Sequence, residues 1–271
     1  MKSHTNTDTE WEKWGKNDPY FGVITHEKFR RMNLTEESKL EFFKSGQGHV
    51  NRVLNVCKRH FSPNFSPRNV LDFGCGTGRL IIPFSNIAEN VVGIDISDSM
   101  LREAEKNCND YSVNNVKLIK SDDNLSSLTE RFDLIHSVIV FQHIPVERGI
   151  HIFSNLLNHL KEGGICAVQI TYSKSIFNKT QGIPPVQQPM EIIANNIKLR
   201  IQNLVDQVKQ RFKKPASIKS IPLDPEMQMN PYNLNVLFFL LQSFGITNIY
   251  LDFTDHGGEL GIFLYFQKPM K

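Results

Sequence analysis

Val70-Leu71-Asp72-Phe73-Gly74-Cys75-Gly76-Thr77-Gly78-Arg79-Leu80 is the stretch that decides the fold. An apolar strand ends in a loop of three glycines, with an acid two residues before the first. Glycine lacks Cβ, so Gly74, Gly76 and Gly78 allow tight, positive-φ turns and let a ligand approach the backbone. The helix that follows aims its free N–H groups at whatever lies there. A loop built for a pyrophosphate reads G-x-G-x-x-G. Here the third glycine comes one residue early, and Asp72 puts a negative charge where a diphosphate would be repelled. A cationic or zwitterionic ligand tolerates that acid better.

Working outward, Val91-Val92-Gly93-Ile94-Asp95-Ile96 reads as a second buried strand ending in an acid. Asp95 lies 21 residues after Gly74, about where a doubly wound fold sets a carboxylate on a ribose diol. Ser97 is placed to cap the next helix. Val116 to Asp123 is a third strand running into acids, and Phe132 to Ile139 a fourth, followed by Phe141-Gln142-His143-Ile144-Pro145. Leu160 to Gly164 closes a helix and turns into a strand from Ile165 to Thr171.

These motifs, in this order over roughly residues 66–171 and again 233–268, resemble the class I methyltransferases that use S-adenosylmethionine (SAM), a ligand with a sulfonium and an ammonium. The resemblance implies an α/β fold: a seven-stranded Rossmann-like sheet with the last strand antiparallel, an N-terminal helical arm and a helical insertion after the fifth strand. It assigns cofactor contacts to Asp72, Gly74, Cys75, Gly76, Gly78, Asp95, Ile96 and Val138. It also implies an acid after the third strand that accepts from the adenine amino group, Asp122 in preference to Asp123, although either acid could instead cap a loop. Cys75 reads as a small packed residue rather than a nucleophile, since only the helix terminus would lower its pKa.

Composition fits one enzyme domain with additions. The chain has 271 residues, 40% of them hydrophobic and 22% charged, enough for a substantial core. Its 31 Lys and Arg against 28 Asp and Glu leave +3, too slight to argue for nucleic acid. Cys57, Cys75, Cys108 and Cys166 show no C-x-x-C pairing, so neither a metal site nor a disulfide framework is expected. The polar opening MKSHTNTDTE lacks the apolar core of a signal peptide, and no apolar run is long enough for a membrane span. The expectation is a cytoplasmic protein.

The boundaries expected are an arm with helices over 1–65, a SAM-binding core over 66–171, a helical lid over 172–232 and the elements completing the sheet over 233–271. Residues 1–15 read as a polar, mobile arm. Thr35 is placed to cap one or two amphipathic helices carrying Leu40, Phe43, Val50, Val53, Leu54 and Cys57. Asp18-Pro19-Tyr20-Phe21-Gly22 is an aromatic-bearing loop that either covers the ligand or only anchors the arm. Ile193, Ile197, Ile201, Leu204, Val208 and Phe212 give a helix over 192–214 an apolar stripe. Its other face is basic, through Lys198, Arg200, Lys209, Arg211, Lys213 and Lys214, and is either solvated or a cationic lid. Asn230-Pro231-Tyr232 reads as a helix start, with Asn230 as N-cap and Pro231 at the first position. Gly245 ends that helix.

Methyl transfer asks little of side chains beyond alignment, exclusion of water and, for a hydroxyl, removal of a proton. His143, after the fourth strand, and His256, in the Thr254–Glu259 turn of the last hairpin, are placed at the carboxyl edge to act as that base. The reading is therefore a methyltransferase for a small molecule or glycan, with a hydroxyl as the preferred acceptor. The alternative is an RNA or protein methyltransferase docked through residues 192–214. Nucleic acid is not the favoured partner, because no RNA-binding module is appended.

Overall fold

The computed structural model describes residues 6–180, 182 and 224–270. The chain divides into Met1–Lys174 with Pro225–Lys271, and Ser175–Asp224. In the second unit the described part is a short 3-10 stretch, Ser175–Thr180, with Gly182 and Asp224. The basic helix expected over 192–214 lies outside the described residues.

The first unit holds a seven-stranded sheet. Its strands are β1 (Asn69–Phe73), β2 (Asn90–Asp95), β3 (Val116–Lys120), β4 (Phe132–Ser137), β5 (Leu160–Lys174), β6 (Asn248–His256) and β7 (Glu259–Gln267). They lie in the order β3-β2-β1-β4-β5-β7-β6. Strands β1 to β5 pair in parallel, whereas β7 is antiparallel to both β5 and β6. This is the expected Rossmann-like sheet with its last strand reversed.

Alternation along β1 explains the layers, because successive strand residues point to opposite faces. Leu71 and Phe73 pack with Phe153, Leu156, Leu237 and Leu241 from α6 (Val146–His159) and α7 (Leu234–Ser243). Val70 faces the other way, toward Val50, Val53 and Cys57 of α3 (Glu36–His60), Phe84 of α4 (Ile81–Ser85) and Cys108 of α5 (Asp98–Asp110). Burying each such aliphatic side chain contributes about 1.5–3 kcal/mol. Helix α3 is one helix of 25 residues, and Thr35 forms a capping box with Ser38.

Three expectations need correction. Residues 6–15 are not a mobile arm: α1 spans Thr7–Asn17, with Asn6 accepting from the Asp8 N–H as N-cap and Trp14 buried. The aromatic loop is a short helix, α2 (Pro19–Val23), with Tyr20 and Phe21 buried. Finally, Asn230 does not cap a helix. Helix α7 starts at Leu234, capped by Asn233. Asn230 instead donates its N–H and its side-chain amide to the Gln142 carbonyl, at 2.7 and 3.2 Å. Two tertiary hydrogen bonds there outweigh a local cap.

Candidate functional site

The parallel strands end on one edge, and their connecting loops enclose a cavity of about 830 Å³, its open mouth included. Gly74, Ile94, Asp95, Ile96, Ser121 and Asp123 line one side, and Val138, Ile139, Val140, His143 and Ile144 another. Thr7, Asp8 and Trp11 of α1 and Gly22 and Val23 of α2 also reach it. The N-terminal helices thus form part of its wall.

Gly74 has φ +74°, and a Cβ there would fall 2.4 Å from Val140 Cγ2. Only glycine fits such a close, left-handed approach. Asp95 turns back under the loop and accepts from the Gly76 and Ser97 N–H groups, both at 2.9 Å. Burial raises its pKa to about 6, although those two donors favour the charged form. A carboxylate has about four lone-pair sites, so Asp95 keeps acceptor capacity for hydroxyls in the cavity. Gly76 and Gly78 shape the turn, with φ +54° and +83°, without lining the cavity.

Asp72 and Cys75 point elsewhere. Cys75 is sealed in the core, where burial pushes its thiol up. Asp72 is buried on the α3 face of the sheet and accepts from His136 Nδ1 at 2.8 Å. His136 Nε2 lies 2.9 Å from His49 Nε2. Burial, with the nearby His136 and the cations Arg79 and Arg52, lowers the His49 pKa to about 2.

The two acids after β3 divide the roles differently from the expectation. Asp122 caps its own loop, accepting from the Asn124 and Ser126 N–H groups at 2.8 and 3.2 Å, and does not line the cavity. Asp123 does line it, in an ion pair with Arg148. Arg148 also forks onto Asp8 of α1 at 2.6 and 3.0 Å. Its charge is therefore matched by two carboxylates, and these bonds raise its pKa against the pull of burial.

The two histidines also part company. His143 is buried and lines the cavity. Its Nδ1 lies 2.7 Å from the Gln228 carbonyl, so Nδ1 carries the proton and Nε2 the lone pair, with the Gln142 amide 3.3 Å away. Burial lowers its pKa. Thr7 Oγ1 donates to the His143 carbonyl at 2.9 Å, and Trp11 meets the ring edge-on. His256 is exposed and does not line the cavity. The reason is the length of β5. Its pairing with β4 stops at Val168, while its pairing with β7 runs on to Lys174. Roughly 20 Å of further strand carries the β6–β7 turn away from the sheet edge.

Sequence reading missed Thr7, Asp8, Trp11, Arg79, Ser121 and Arg148. Trp11 and Trp14, three apart and followed by Asp18-Pro19, carry the signal of a helix with an apolar side. Nothing local marks Arg148, whose partners lie 25 and 140 positions away. The loop after β4 also holds Ile139 at φ +56°, a strained conformation for a β-branched residue, its N–H bonded to Gln169 Oε1 at 3.1 Å.

Residues 70–164 match the sequence model of a family described as methyltransferase domain. The ribosomal protein L11 methyltransferase of Lactobacillus gasseri is 30% identical over 195 residues, 71% of this chain and 53% of that protein. The chain spans between 30% and 53% of the length of the first curated relatives it matches. Among solved structures, magnesium protoporphyrin IX methyltransferase from Synechocystis with bound SAM superposes with a TM-score of 0.57. It is 15% identical, over 99% of this chain and all of that one. The N-methyltransferase NodS from Bradyrhizobium japonicum, in complex with S-adenosylhomocysteine (SAH), gives 0.56 at 13% identity, over 98% of this chain and all of that one. Residues 70–164 are similar to a methyltransferase domain, and the chain has the fold of the class I SAM-dependent methyltransferases on which it superposes. The cofactor of that class is SAM, and the residues here fit it: the glycine cradle at Gly74 leaves room against the backbone, and Asp95 presents a carboxylate to the same cavity.

Proposed function

We propose that this protein transfers a methyl group from SAM to a small-molecule acceptor, with a hydroxyl as the nucleophile and His143 as its base. One observation carries the reading: the cavity that holds Gly74, Asp95 and Ile96 also holds a buried imidazole with a fixed tautomer. When bound, the cofactor supplies an activated methyl carbon on a sulfonium. Asp95 accepts hydroxyl hydrogen bonds, and Ile96 and Val138 give apolar contact. Trp11, Val140 and Ile144 exclude water, which strengthens electrostatic interactions in the site. Because Nδ1 is committed to the Gln228 carbonyl, Nε2 is the atom that takes an acceptor's proton, displacing the long contact to Gln142. In this reading Asp122 is a loop cap and His256 has no part in the chemistry.

A second reading, a protein or RNA acceptor docked by the basic segment 192–214, draws support from the name of the Lactobacillus relative. One experiment separates the two. The protein is incubated with methyl-labelled SAM and a cell extract fractionated by size. Label is expected in the small-molecule fraction, and His143→Ala should lower transfer about 10²–10⁴-fold while SAH binding persists. Label confined to protein or RNA would overturn the small-molecule reading. Calorimetry showing no SAM binding would overturn the activity itself.

A further inference from the structure

Gln169, Thr171, Gln142 and His143 are buried polar side chains that form one line behind the cavity wall. Such groups are costly to bury unless their donors and acceptors are matched. Both ends of the line fix which way it runs. At one end the Ile139 backbone N–H, which can only donate, meets Gln169 at 3.1 Å, so the atom there is the amide oxygen Oε1. The Gln169 NH2 is then turned to Thr171 Oγ1 and donates to it at 3.2 Å. Thr171 directs its own proton to the next contact, 2.8 Å long, so the Gln142 atom there is Oε1. That leaves the Gln142 NH2 facing His143 Nε2 at 3.3 Å and Met229 Sδ at 3.7 Å. A thioether can only accept, so the far end gives the same direction as the near one. His143 Nε2 must therefore carry a lone pair, in keeping with the proton on Nδ1 against the Gln228 carbonyl.

We infer that Gln142, aimed by Thr171 and Gln169, is a positioning residue for His143. It holds the Nε2 lone pair on a single tautomer and yields its place when the acceptor's hydroxyl arrives. This inference rests on His143 being the base of the proposed reaction. The backbone supports the relay at two points. Gly261 of β7 leaves room for it, since a Cβ there would fall 2.9 Å from Gln169 Nε2. The Gln142 carbonyl accepts from both nitrogens of Asn230, so the Gln142 side chain starts from a fixed point. A proton added at Nε2 would face the Gln142 N–H, donor against donor, so the relay favours the neutral imidazole over the imidazolium. The other charges around the ring are Glu259 of β7, which favours the imidazolium, and Asp8, Asp95, Asp123, Arg79 and Arg148 of the same cavity. Substitutions within the relay leave all of these in place.

The test reads His143 directly, with no substrate present. Histidine carrying the heavy nitrogen isotope is incorporated, and the His143 ring resonances are assigned by NMR from their loss in His143→Gln. They are then followed against pH in the wild type, Thr171→Val, Thr171→Ser and Gln142→Met. In the wild type the neutral ring is expected as the Nδ1–H tautomer. Thr171→Val keeps the shape and loses the hydroxyl, which frees Gln142 to turn. It should raise the His143 midpoint by about half to one pH unit, the worth of one hydrogen bond. Gln142→Met, which lacks the NH2, should raise it too, and Thr171→Ser should leave it at the wild-type value. Transfer of label from SAM to the small-molecule fraction of a cell extract should lose its acidic limb at a pH raised by the same amount. An Nε2–H tautomer in the wild type, or an unchanged midpoint in Thr171→Val and Gln142→Met, would overturn the relay. So would a shift in Thr171→Ser as large as in Thr171→Val, because packing rather than the hydroxyl would then be the cause. A midpoint that moves while the acidic limb of transfer stays in place would leave the relay standing and overturn His143 as the base.

Discussion

In the proposed function Asp95 is the carboxyl group that meets the hydroxyls of the cofactor. Burial lifts its pKa to about 6, while Gly76 and Ser97 stabilise its anion. Ligand hydroxyls donating to it favour that anion further, so binding must lower the pKa and release protons. SAH affinity is expected to rise with pH through about 6 and level off above it. Calorimetry between pH 5 and 6.5 in buffers of different ionisation enthalpy should show the proton release. Asp95→Asn should weaken binding by about 1.5–3 kcal/mol and remove the pH dependence. A pH-independent affinity in the wild type would mean that Asp95 does not touch the ligand. The same raised pKa disfavours folding of the free protein as pH rises. The folded group binds its proton more tightly than the unfolded one, so its contribution is full below about pH 4 and lost through about 6.

Helix α1 depends on the side chains that tie it down. Glu12 accepts from Ser97 Oγ and Ser99 Oγ, both at 2.7 Å, at the start of α5. Gly15 allows the approach, since a Cβ there would fall 2.6 Å from Ser97 Oγ. Burial opposes the Glu12 charge, but the bonds from Ser99, Ser97 and Lys16 outweigh it and hold the pKa at about 2. The sign follows: this docking is full above about pH 4.5 and lost as pH falls toward 2. At neutral pH, Glu12→Ala should speed tryptic cleavage at Lys13 and Lys16, and SAH should slow it again. Equal cleavage of variant and wild type would show that Asp8 and Thr7 hold the helix without Glu12. Elements were legible in the sequence where local pattern and tertiary structure agree. The glycine loop, the apolar strands and the Ser97 and Thr35 caps all read correctly. Helix α1 was not, because its polar composition hides contacts made far away in sequence, Thr7 to His143 and Asp8 to Arg148. Asn230-Pro231-Tyr232 misled for the converse reason: a sound local cap signal lost to a tertiary partner, the Gln142 carbonyl. Among the candidate site residues, Gly74 and Asp95, whose positions follow from backbone geometry, line the cavity. Whether Asp122 or Asp123 faces the cavity depends on Arg148, which no local pattern locates.

At the scale of the whole molecule, the cavity draws on both ends of the described chain. Thr7, Asp8 and Trp11 come from the N-terminal side, and Gln228, near the start of the C-terminal described segment, fixes the His143 tautomer. A ligand that binds only the assembled form should therefore stabilise the first unit as a unit. At a hundred times its dissociation constant, SAH should add about 2.7 kcal/mol, read as one cooperative upward shift of the melting temperature. A shift confined to a minor early transition would mean that the cofactor braces only the arm. Among the described residues no helix is long and apolar enough to cross a membrane. The position of α1 also bears on time. Because Thr7, Asp8 and Trp11 wall the cavity, a ligand bound there shares its enclosure with a helix held by Glu12, Asp8 and Thr7. Loosening that helix by Glu12→Ala is therefore expected to shorten the residence time of bound SAH, read as a faster dissociation in a stopped-flow chase.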